Sequence, residues 1–209
     1  MNVPYISYDE IGRRADDFRK KYHPSGEIPV PIEEIVELQL GLNIITIPNM
    51  YVAYRINGYL SADRSAVYVD EFQYDKLHEK YRYTLAHELG HFVLHEEIYS
   101  ELTFTSLPEY WEYMITADPA FFGRCEAQGD RFAEQLLVPE EALILETKRV
   151  VTRNIDSLRV ISASGDTLLP YITKEIARPF NVAPKVIECR FTHSKGRIDL
   201  SGIMRSAGV

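Results

Sequence analysis

The sequence predicts an α+β fold, a small antiparallel or mixed sheet packed on one buried helix, with a helical C-terminal part. Three observations predict it. Runs rich in β-formers fall only between residues 42 and 70, and helical periodicity dominates after them. One later segment, residues 85–95, is apolar on nearly every face, which is the pattern of a buried helix. The 209 residues are 45% hydrophobic and 11% aromatic, enough to bury a core, which excludes a disordered or fibrous chain. No linker composition or internal repeat divides the sequence, so one domain over residues 1–209 is expected.

The elements follow in order. Ile11, Ala15, Phe18 and Tyr22 are spaced by four, three and four, predicting a helix over 8–22 that His23-Pro24-Ser25-Gly26 stops. Pro31 opens a short helix with Ile32, Ile35, Val36 and Leu38 facing inward, and Gly41 ends it. Residues 42–47 read as a strand ending at Pro48. Residues 52–60 and 66–70 read as a strand pair, the second offering a sheet edge. The longest helix is expected over 76–97. Leu107, Tyr110, Trp111, Met114 and Ile115 form an i, i+3, i+4, i+7, i+8 stripe, an amphipathic helix that can either cover a site as a lid or fill the core, the second being expected. Asp118-Pro119 breaks it, and Glu126 opens the next helix, over 126–137. Residues 168–197 read as a helix, a short turn at 180–183, and a second helix from Pro184, a helix-turn-helix-like pair.

Charge and targeting exclude several classes. The chain has 23 Lys+Arg against 31 Asp+Glu, a net charge of −8, which argues against a dedicated nucleic-acid binder. The basic residues Lys174, Arg178, Lys185, Arg190, Lys195 and Arg197 of the 168–197 segment do not reverse that balance. No apolar run reaches the ~20 residues of a membrane span, and the first residues lack a signal-peptide pattern. Cys125 and Cys189 form no CxxC pair and read as free thiols in a reducing cytosol. A cytoplasmic protein is expected.

The chemistry lies in His87-Glu88-x-x-His91. Residues i and i+4 share one helix face, so both imidazoles can reach one metal ion at ~2.0–2.1 Å. Glu88 follows the first ligand and can address water at the metal rather than the metal itself. A catalytic zinc needs a third protein ligand and an open position. His95 is one candidate, yet it sits one turn beyond His91, ~6 Å further along the axis. Glu126 is the better one, because a carboxylate completes a His₂Glu set. Asp130, one turn after Glu126, can accept the free N–H of a ligand histidine and fix its tautomer. Tyr59, Tyr68 and His193 are candidate donors to a tetrahedral oxyanion, with no basis for choosing among them.

The stretch from Thr84 to His95 (TLAHELGHFVLH) and the pattern Glu126-x-x-Gly129-Asp130-Arg131-Phe132-Ala133-x-x-Leu136-Leu137-Val138-Pro139 together resemble the ImmA/IrrE family of metallopeptidases. The strand pair with Gly58-Tyr59-Leu60 and Val67-Tyr68-Val69-Asp70, the segment 28–33 and the stretch 176–183 are similar to the same family. The sequence departs from the family at Gly129, where Ala is usual, and at Gln128, where an acid is common. The resemblance implies a zincin-like fold, Zn2+ held by His87, His91 and Glu126, and Glu88 as general base in peptide-bond hydrolysis. It also implies a protein substrate, a helix-turn-helix transcriptional repressor whose cleavage derepresses stress or mobile-element genes. The alternative is a zinc-containing regulatory protein that binds a repressor without cutting it.

Overall fold

A computed structural model describes residues 5–163, 169–194 and 198–207. Contacts within the chain group into two compact units, residues 1–26 with 30–136 and residues 27–29 with 137–209. Residue 168 and residues 195–197 of the expected helix pair, and residues 1–4 at the start, lie outside the described residues.

In the first unit, helix α1 (Tyr8–Tyr22) has the predicted bounds. Ser7 caps its N-terminus by accepting from the Glu10 N–H at 3.1 Å, and Ile11, Ala15 and Phe18 are buried. Helix α2 (Ile32–Glu34) passes into a π-helical turn (Ile35–Gln39). The wider π turn shifts the phase of the buried face. It buries Ile35 and Val36 but leaves Leu38 80% exposed, contrary to the inward position expected for it.

Strand β1 (Asn43–Ile47) pairs parallel with β3 (Ala66–Asp70), and β2 (Gly58–Leu60) pairs antiparallel with β3, giving the order β1-β3-β2. The sheet is therefore mixed, within the predicted class. Two details differ from the sequence reading. β3 is central and paired on both sides, so the free edges belong to β1 and β2. Residues 50–54 form a helix, α3 (Met50–Tyr54), instead of extending the strand. Its start is held from a distance: the Asp70 carboxylate accepts the Tyr51 N–H at 2.9 Å. Left-handed residues, Asn49 (φ 57°) and Arg55 (φ 61°), bound it at either end. That cap comes from the end of β3 and has no local signature in residues 50–54.

Asp70 also caps α4 (Glu71–Lys76) by accepting from the Gln73 N–H. Then comes α5 (His78–Leu94), the buried helix, with Leu85, Ala86 and Leu89 fully enclosed. A short α6 (Glu96–Tyr99) and α7 (Leu107–Thr116) follow. No residue of α7 is buried, and Trp111 and Ile115 are 38% and 54% exposed. The expectation that this helix fills the core is thus corrected: Leu107, Tyr110 and Met114 cover the small cluster of Met50, Ile56, Tyr59 and Phe104, while the other side of the stripe faces solvent.

Helix α8 (Pro119–Leu137) begins two turns earlier than predicted. Asp118-Pro119, read as a breaker, also starts a helix: Asp118 accepts from the Phe121 N–H at 2.7 Å and Pro119 takes the first helical position. Glu126 consequently sits mid-helix and is no first-turn acid.

The second unit is helical among its described residues: α9 (Glu140–Arg153), α10 (Ile155–Ala163), α11 (Leu169–Phe180), α12 (Pro184–His193) and α13 (Leu200–Ala207). Helices α10, α11 and α13 all pack on α9, and α11 packs on α12, with Ile172, Ile176, Phe180 and Ile187 buried. Arg190, one of the basic residues of the helix-turn-helix-like segment, is 1% exposed and donates to the Val138 carbonyl. It works inside the fold and is not on a surface. No helix among the described residues is long and apolar enough to cross a membrane.

Candidate metal centre

Two glycines set the site's geometry. A Cβ on Gly90 of α5 would lie 2.9 Å from the Gly129 Cα of α8 and 3.0 Å from its carbonyl oxygen. The two helix backbones therefore meet as closely as glycine permits, at a cost of ~1 kcal/mol of helix propensity for each. A Cβ on Gly129 would stand 3.2 Å from Nε2 of both His87 and His91. The crossing puts α8 directly against the two imidazoles, with Glu126 one turn before the contact.

His87, His91 and Glu126 form a group able to hold a metal ion. Their ligand atoms lie at the corners of a small triangle. His87 Nε2 and His91 Nε2 are 3.0 Å apart, and Glu126 oxygens stand 3.5 Å from the first and 3.3 Å from the second. Three ligands ~2.0–2.1 Å from a tetrahedral ion would be separated by about 3.3 Å, so the donor set fits the ion. The two far ring nitrogens are both occupied. His87 Nδ1 is 3.0 Å from Asp130 Oδ1, which also accepts from the Tyr83 hydroxyl at 3.1 Å. His91 Nδ1 is 3.0 Å from His95 Nδ1. With Nδ1 engaged on each ring, Nε2 is left to face the triangle, and two facing lone pairs beside a carboxylate are what a cation relieves.

Burial and neighbouring charges shift the site's titratable groups in different directions. Burial pushes the Glu88 carboxyl above its ordinary range, against the pull of His87 and His91. Burial opposes the charge on Glu126 too, but its hydrogen bonds with His87 and His91 hold that carboxyl far below the usual range. Burial lowers His95 to about 4. His95 is 2% exposed, and its ring nitrogens turn to His91 and to Gln128 Oε1 (2.8 Å), away from the triangle, so the structure places it behind a candidate ligand and outside the ligand group.

Glu88 is 5% exposed and reaches the sheet edge, where the Leu60 N–H donates to its carboxylate. The Asp70 N–H to Asn57 carbonyl and Ser61 N–H to Ala66 carbonyl bonds direct residues 57 and 61 toward β3. By the alternation of an antiparallel ladder, Gly58 and Leu60 turn their backbone groups outward. The edge beside the site is therefore β2, not the predicted 66–70 strand.

His87, Glu88, Glu126 and Asp130 share a cavity of about 220 Å³ with Asn57, Gly58, Tyr83, Tyr110 and Met114. Tyr110 and Met114 bring α7 into the wall, closer to the site-covering alternative than to the core-filling role expected for it. Its apolar stripe carries no signal that separates a pocket wall from core. Tyr59 and Tyr68 stack at 4.6 Å and open onto a neighbouring cavity, away from the metal group's own pocket. Gln128, between Glu126 and Asp130 in sequence, is buried beside His95, a placement that no local pattern in the sequence marks.

Among known proteins, the family model of a peptidase family described as the IrrE N-terminal-like domain matches residues 73–192, more than half of the chain. No curated protein matches.

Proposed function

From the premise that this chain belongs to the IrrE N-terminal-like peptidase family, and so is a metallopeptidase hydrolysing peptide bonds, we propose that it is a zinc-dependent endopeptidase that cleaves a helix-turn-helix transcriptional repressor. The observation that carries the catalytic reading is the triangle of His87 Nε2, His91 Nε2 and the Glu126 carboxylate beside the buried Glu88. The repressor as substrate rests on the ImmA/IrrE resemblance. The free thiols Cys125 and Cys189 fit a reducing compartment, and the cytoplasm is the proposed location.

His87, His91 and Glu126 would hold the zinc, and Asp130 would orient His87. When bound, zinc supplies Lewis acidity toward water and toward the scissile carbonyl. Glu88 accepts a proton from the attacking water and returns it to the leaving amine. Tyr110 is the proposed donor to the developing oxyanion. Burial and the Glu88 and Glu126 carboxylates push its hydroxyl well above the ordinary tyrosine range, so it keeps the proton it must offer. The substrate chain adds to the outward edge of β2, using the Gly58 backbone groups, so an extended or locally unfolded segment is cut.

The test is co-incubation of zinc-loaded protein with the repressor encoded nearest its gene, with fragments read by mass spectrometry. Glu88→Gln keeps the size and the metal ligands but removes the base, a loss typically worth 10²–10⁴-fold in rate. The variant is expected to retain zinc, capture the repressor and leave it whole. Derepression by Glu88→Gln equal to wild type would establish the non-proteolytic alternative instead.

A further inference from the structure

Glu126 and the two HExxH histidines account for the metal group, but not for a second line of buried polar side chains running from His91 into the protein. His91 Nδ1 lies 3.0 Å from His95 Nδ1, and His95 Nε2 lies 2.8 Å from Gln128 Oε1. His95 and Gln128 are 2% and 7% exposed. A buried imidazole pair and carboxamide in line must share out their protons without a mismatch, since a buried polar atom facing its like is costly.

Only one assignment leaves His91 able to bind a metal. Coordination uses the Nε2 lone pair, so the proton of His91 sits on Nδ1 and is donated to His95. His95 Nδ1 must then accept, which puts the proton of His95 on Nε2. That N–H needs an acceptor, and the Gln128 carbonyl oxygen is there. The opposite order is self-consistent as well. A Gln128 amide turned to donate would drive the proton of His95 onto Nδ1 and that of His91 onto Nε2, where it would point at Glu126 instead of offering a lone pair. The side-chain amide of Gln128 therefore decides, two residues away in the chain of bonds, what His91 presents.

We propose that Gln128 and His95 are positioning residues that fix His91 in its metal-binding tautomer through an ordered line of hydrogen bonds. The inference deepens the metal reading and rests on it. It also separates the two histidine ligands by the kind of support each receives. His87 leans on Asp130, a carboxylate that adds negative charge behind the ring. His91 leans on a neutral imidazole and a neutral amide, which orient it without adding charge.

The test uses the full chain and zinc itself as the probe. Zinc affinity is measured by competition with a chromophoric chelator, and the His91 tautomer by nitrogen-15 NMR of the metal-free protein. Gln128→Glu offers only acceptor oxygens, so it keeps the required order and is expected to bind zinc within a few-fold of wild type. Gln128→Met fills the space but removes the acceptor; the expected loss is 10–100-fold, the range typical of groups behind a metal ligand. In the metal-free wild type the His91 proton is expected on Nδ1. Equal zinc affinity in Gln128→Met and wild type overturns the inference, as does a wild-type His91 carrying its proton on Nε2. The NMR measurement decides even if Gln128→Met does not fold. A wild-type chain that takes up no zinc while His91 carries its proton on Nδ1 overturns the metal reading and not the ordered line.

Discussion

Asp130 and Glu126 are one helical turn apart on α8 and do different work. Glu126 closes the candidate ligand triangle, whereas Asp130 meets the far nitrogen of His87 and the Tyr83 hydroxyl. Glu126→Ala is therefore expected to remove measurable zinc binding. Asp130→Ala should weaken zinc by 10–100-fold and leave the fold intact. Chelator competition together with circular dichroism checks both, and wild-type zinc affinity in Asp130→Ala would return that residue to an ordinary surface acid. Gly90 makes a sharper case at this scale. Gly90→Ala gains ~1 kcal/mol of helix propensity, but its methyl would press on the Gly129 backbone, which cannot rotate aside as a side chain can. The expected outcome is a lower melting temperature together with weaker zinc binding, because the same backbone contact holds α8 against the imidazoles. A Gly90→Ala protein as stable as wild type would mean that the two helices can separate freely.

Helix α7 is the element whose role changed most between sequence and structure. Its stripe satisfies the periodicity of a core helix, yet it lies across the small Met50–Ile56–Tyr59–Phe104 cluster and forms a wall of the metal pocket. Tyr110 stacks on Tyr59 with ring centroids 4.5 Å apart, so the ring is held by packing that does not need the hydroxyl. Tyr110→Phe should therefore keep the wall and the candidate metal site while losing the proposed oxyanion donor. Removing such a donor typically costs 10²–10³ in kcat, so steady-state peptide cleavage should show that loss with KM little changed. A change in KM alone would assign Tyr110 to substrate binding. Strand β2 shows the same dependence on neighbours. Three residues long, it becomes the edge beside the site because β3 is paired on both sides.

At the scale of the molecule, metal and folding are linked. An ion bound by the native state alone stabilises it by ~2.7 kcal/mol when free metal is 100 times its Kd, and one kcal/mol shifts the melting temperature by ~2–4 °C at this size. Calorimetry with and without a chelator should accordingly show a rise of several degrees on adding zinc to wild type, and none for Glu126→Ala. By itself the sequence determined what depends on short-range spacing: the bounds of α1, the buried character of α5, the HExxH face, and a small sheet, antiparallel or mixed, within an α+β class. It determined these because helical and strand periodicities are local, and because an imidazole pair at i and i+4 needs no other element to share a face. The tertiary structure alone decided the rest. The cap on α3 comes from Asp70, the closeness of Glu126 to both histidines comes from the Gly90–Gly129 crossing, and the buried line behind His91 runs through His95 to Gln128 in another helix. Each of these joins residues at least 19 positions apart in the chain, and no local pattern encodes a contact whose two halves lie on different elements.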